Sequence, residues 1–112
     1  MGTVVYQNLV EFLLEEGDKT EEEIVEEAMK RFEFPNKDEL THEVRMQFIM
    51  GKDFFQKLEN EKYRLLKLDN SPITGRKAFL ELLNNSPEGY FDTRPHIKKL
   101  YDALENKMVA GL

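Results

Sequence analysis

Apolar residues recur along the chain with two different periods, and the change of period divides it. Val4, Val5, Leu9, Val10, Phe12, Leu13 and Leu14 fall mainly at spacings of three and four, which predicts an amphipathic helix over roughly 4–16. Gly17 sits where a C-terminal cap belongs. Thr20 followed by Glu23 is a capping box, and the acidic run Glu21-Glu22-Glu23 suits the first turn of a second helix. Its buried stripe would be Ile24, Val25, Ala28, Met29 and Phe32, ending before Phe34-Pro35 because a residue preceding proline disfavours helical backbone. A third helix is predicted from Asn36–Asp38, with Leu40, Val44, Phe48 and Ile49 inward and Gly51 as its stop. The pair Met46 and Met50, at i and i+4, is expected in the core.

The helical period then gives way to short runs. Phe54 to Leu58 and Tyr63 to Leu68 flank the polar segment Glu59-Asn60-Glu61-Lys62, the pattern of a β-hairpin. Asp69-Asn70-Ser71-Pro72 breaks the chain. Ala78, Phe79, Leu82 and Leu83 mark a fourth helix over about 74–84, and residues 84–89 form a loop. Thr93 is the expected N-cap of a last helix with Pro95 in its first turn. Ile97, Leu100, Tyr101, Leu104 and Met108 give that helix one apolar face, either packed on the rest of the chain or forming a dimer seam. Tyr90 and Phe91 either anchor the preceding loop on the core or form an exposed aromatic contact.

The expected fold is therefore mainly α with a small β-hairpin. Residues 1–70 form a winged-helix-like domain, and residues 71–112 form a helical extension packed on it. In the order of elements, in Phe12 through Gly17, in Thr20 through Ile24, and in the runs Phe55 to Leu58 and Tyr63 to Leu65, the chain resembles the HARE-HTH type of winged helix-turn-helix. That family includes the N-terminal domain of the bacterial RNA polymerase delta subunit. Phe54, Phe55 and Leu58 match its aromatic first wing strand, and Tyr63 and Leu65 its second. The chain departs from the family in having no Trp on the second strand, and in continuing into two predicted helices instead of a long acidic tail. The resemblance implies a macromolecule-binding fold in which the third helix is the recognition helix.

Charge changes how such a fold would be used. The chain carries a net −6, concentrated in residues 1–36, which hold ten acidic and three basic side chains. Residues 37–67 hold seven basic and six acidic, the one segment with a basic lean. If the third helix and hairpin met DNA, Lys37, Thr41, His42, Arg45, Gln47, Lys57, Lys62 and Arg64 would supply the phosphate and base contacts. Asp38, Glu39, Glu43, Glu59 and Glu61 share that surface and would repel phosphate. Glu15, Glu16, Asp18, Glu22 and Glu26, with their acidic neighbours, are either a docking face for a basic partner or a solvated face with capping chemistry.

Catalytic and metal-binding signals are thin. The chain has no Cys, and His42 and His96 lie far apart without a ligand motif. Ser71 and Ser86 have no neighbouring His. Thr74-Gly75-Arg76-Lys77 reads as a plain helix start or as an anion site. No cofactor is expected. No apolar run spans a bilayer and no leader pattern opens the sequence, so the expectation is a cytoplasmic chain without membrane contact. The sequence favours a small non-enzymatic regulator, monomeric or dimeric, acting by protein contact on transcription or nucleic-acid-processing machinery, with a phage-type inhibitor as one origin. A dimeric winged-helix DNA-binding regulator is the rival.

Overall fold

The computed structural model describes residues 2–110. Three helices come first: α1 (Gly2–Glu15), α2 (Glu21–Phe32) and α3 (Lys37–Met50). An antiparallel hairpin of β1 (Phe55–Lys57) and β2 (Tyr63–Leu65) follows, then α4 (Arg76–Asn84), a 3-10 turn (Tyr90–Thr93) and α5 (Pro95–Ala110). The fold is mainly α with a small hairpin, as the periodicity predicts.

α1 is not the one-sided amphipathic helix its pattern suggests. Residues 8–14 are all buried, Asn8 and Glu11 included, because the other helices pack around it. The Asn8 side chain donates to the Val4 carbonyl at 2.9 Å. Leu9 and Leu13, fully buried, each contribute about 2–3 kcal/mol of transfer free energy. Gly17 ends the helix at φ 141°, a backbone conformation that L side chains rarely adopt.

The capping box forms: the Thr20 hydroxyl accepts the Glu23 N–H and the Glu23 carboxylate accepts the Thr20 N–H, both at 3.0 Å. α2 stops at Glu33, whose left-handed backbone donates its N–H to the Met29 carbonyl. Asn36 caps α3 by accepting the Glu39 N–H. Leu40, Val44, Gln47 and Phe48 face inward from α3. Ile49 and Met50 do not: both are more than half exposed, contrary to the expected core positions, because the inward stripe passes through Gln47 and Phe48 instead.

The hairpin pairs Phe55 with Leu65, Gln56 with Arg64 and Lys57 with Tyr63. Tyr63 also bridges to Lys19 in the α1–α2 connection, donating at 2.7 Å and accepting at 3.3 Å. Phe48 lies flat on Tyr63, with ring centroids 3.6 Å apart, and meets Phe55 edge-on. Aromatic packing thus seats the hairpin on α3.

Phe79 and Leu83 of α4 and Ile97, Leu100, Tyr101 and Leu104 of α5 belong to the same core cluster as α1–α3. Of the three residues of the alternative dimer seam, Leu100 and Leu104 are fully buried in the chain's own core and Met108 is 37% exposed. Leu82 points outward. Thr93 does not cap α5. It closes the 3-10 turn, and Arg94 precedes Pro95. Tyr90 and Phe91 pack against the core, Phe91 on Tyr101 at 5.7 Å, so they anchor the loop.

Candidate interaction surface

The acidic residues expected to form one docking face are largely committed within the chain. Glu15 is ion-paired to Arg76 of α4 and, at 2.6 Å, to Lys107 of α5. Burial alone would raise its carboxyl, but the hydrogen bonds from these two cations prevail and hold it below the ordinary range. Glu16 pairs with Arg31, whose hydrogen bonds hold that carboxyl low as well. Asp18 meets Arg64 of β2 at 3.4 Å. Glu22 and Glu26 alone of the five are exposed and have no cation within ion-pair distance among the described residues. The predicted face thus divides into one nearly buried brace at Glu15, surface pairs at Glu16 and Asp18, and a solvated remnant on α2.

The residues proposed for nucleic-acid contact fare similarly. Gln47 is buried, at 3% exposure, and cannot reach a base edge. The Thr41 hydroxyl donates to the Lys37 carbonyl one turn back. Arg45 reaches Glu21 at 3.4 Å, Lys57 meets Glu61 at 3.0 Å, and Arg64 is engaged by Asp18. Lys37 and Lys62 have no carboxylate within ion-pair distance among the described residues, and His42 is exposed on α3. Three of the five candidate cations are therefore balanced by carboxylates of the same fold.

Between these charges lies an open groove of about 660 Å³. Phe48, Ile49, Phe55, Tyr63 and Leu66 line it with apolar surface, while Glu21, Arg45, Lys52, Gln56 and Lys57 stand around it. Ile49 is 56% exposed and Leu66 51%. Single exposed apolar side chains are ordinary; these two line one concave, aromatic-floored surface together. Burial and the charge on Glu21 push the Tyr63 hydroxyl above its usual value, so it is a neutral donor at physiological pH.

Sequence reasoning places α3 and the hairpin together but misses Ile49, Lys52 and Leu66. The available signal was the doublets Phe48-Ile49 and Leu65-Leu66, in each of which neighbouring side chains diverge and one must point outward.

A second polar cluster joins α1 to the segment before α4. Glu11, 2% exposed, accepts the Asp69 backbone N–H at 2.6 Å. The Asp69 carboxylate accepts from Gln7 at 2.9 Å, Thr74 at 2.6 Å and the Ser71 N–H at 2.8 Å. Arg76 starts α4 as the partner of Glu15, so Thr74 to Lys77 is a braced helix start. His96 packs edge-on against Phe34 at 4.8 Å, and burial lowers its pKa. No group of three or more His, Asp or Glu side chains among the described residues is arranged to hold a metal, and no described helix is long and apolar enough to cross a membrane.

No protein-family model, no curated protein and no solved structure matches the chain significantly.

Proposed function

We propose that this chain is a small, non-enzymatic interaction module with a winged-helix core, and that it docks a protein partner through the groove between α3 and the hairpin. The carrying observation is the surface itself: an apolar lining of Phe48, Ile49, Phe55, Tyr63 and Leu66, where two of the three neighbouring cations, Arg45 and Lys57, already face carboxylates. Phosphate binding rewards uncommitted cations, whereas protein docking rewards a desolvated apolar centre with a polar rim. The Lys19–Tyr63 bridge supports the winged-helix reading, since it adds a third short strand position beside the hairpin. The net charge of −6 further disfavours a polyanionic partner. A cytoplasmic role on transcription or nucleic-acid-processing machinery, including inhibition of a host protein by a phage, accords with this reading.

Affinity capture from nuclease-treated lysate, followed by titration with the purified captured protein, tests it. Wild type should bind directly, and Ile49→Asp should bind at least about tenfold more weakly at unchanged thermal midpoint. Micromolar binding of random duplex DNA that falls about 10³-fold between 50 and 200 mM salt would instead establish the DNA-binding alternative.

A further inference from the structure

We infer that the α3–hairpin groove accepts an acidic segment that inserts a large apolar side chain. This deepens the protein-docking proposal and rests on it. The charge pattern sets the occupant's sign. Among the charged residues lining the groove, Arg45, Lys52 and Lys57 outnumber the single carboxylate of Glu21. Glu61 offsets Lys57 from outside the lining. Lys52 is exposed and has no carboxylate within ion-pair distance among the described residues. Counting Glu21 and Glu61, the rim keeps one net positive charge, that of Lys52, on a chain of net −6. A basic segment would meet the unpaired Lys52 and find Arg45 and Lys57 already facing carboxylates, whereas an acidic one would pair with Lys52 and compete with Glu21 for Arg45.

The floor sets the other half of the specificity. Phe48 and Tyr63 are stacked and fixed, and Phe55 abuts them, so the base of the groove is preformed. Ile49 and Leu66 stand above it, more than half exposed. Covering them together with an inserted Leu or Phe removes their apolar surface from water. The occupant's carboxylates, meeting the rim cations, then fix orientation, and the apolar insertion supplies most of the affinity.

The test uses the full chain and three fluorescein-labelled peptides: an acidic one alternating Asp/Glu with Leu and Phe, the same peptide with Lys replacing every acid, and the same with Ser replacing Leu and Phe. The acidic apolar peptide should bind with a Kd of tens of micromolar, at least about tenfold tighter than either control. Its titration should shift the amide resonances of Ile49, Lys52, Phe55 and Leu66. Leu66→Ser and Lys52→Glu change exposed side chains and should each weaken it about five- to tenfold at unchanged thermal midpoint. Equal or tighter binding of the basic peptide, no binding of the acidic one, shifts elsewhere, or self-association of the chain through the same amides would each overturn the inference. If the acidic peptide fails while Ile49→Asp still abolishes binding of a captured protein, the acidic occupant falls and protein docking stands. If random duplex shifts the same amides with steep salt dependence, both fall.

Discussion

The Glu11 carboxylate, deep in α1, accepts the backbone N–H of Asp69 at 2.6 Å across 58 residues of sequence. Burial pushes this carboxyl up to about 7, against the opposing pull of that hydrogen bond and of Arg76; Asp69 and Glu15 add to the rise. Between about pH 4.5 and 7 the folded chain therefore holds a proton that the unfolded chain has released. Stability falls as pH rises through that window and levels off above it, by up to about 3 kcal/mol from this group. Glu15 and Glu16, held low, act with the opposite sign, and their contribution is lost as pH drops below about 4.5. Urea unfolding should show greatest stability near pH 5. Glu11→Gln should raise the pH 8 midpoint and flatten the decline; a variant equally weakened at both pH values would refute this account.

Glu15 and Glu16 are adjacent, yet their substitution should differ sharply. Glu15 and Arg76 are only 16% and 13% exposed, so Glu15→Ala leaves a nearly buried guanidinium without its partner and should cost about 3 kcal/mol. Glu16 and Arg31 are over a third exposed, and Glu16→Ala should cost under about 1 kcal/mol. Chemical denaturation of the two variants side by side decides the matter.

Phe48→Ala removes the ring on which the hairpin rests and should cost about 3–4 kcal/mol. Hydrogen exchange should accelerate at the Tyr63 and Lys19 amides, which bond across the hairpin's inner margin. Tyr63→Phe keeps the stack and should cost under about 1 kcal/mol.

Gly75 has ordinary backbone dihedrals, and its requirement is for space. A Cβ there would lie 2.5 Å from the Ser71 carbonyl oxygen and 2.8 Å from that of Asp69. Gly75→Ala should force the 69–75 turn apart and lower stability by about 2 kcal/mol. The same substitution at Gly51, where a Cβ meets the Gln47 carbonyl oxygen at 2.7 Å, provides a second check.

Local chemistry made much of this fold legible. Thr20 and Glu23 locate the start of α2, Phe34-Pro35 its limit, and the polar run 59–62 the hairpin turn. What stayed hidden depends on distant partners. Asn8 and Glu11 look like a solvent face until four helices surround α1. Glu15 looks like part of an acidic patch until Arg76 and Lys107 arrive from the far end of the chain. The groove was half legible: α3 and the hairpin were foreseen as one surface, but which member of Phe48-Ile49 and of Leu65-Leu66 faces outward is set by tertiary packing.

The bridge between Lys19 and Tyr63 also governs how these molecules behave when crowded. The Lys19 bridge occupies the outer flank of β2 at Tyr63, and the border of β1 is three residues long and bears exposed Gln56 and Lys57. A border so short and so hydrophilic is a poor template for strand-to-strand polymerisation. Exposed Ile49 and Leu66 therefore stand beside a sheet margin that gives little purchase for strand addition.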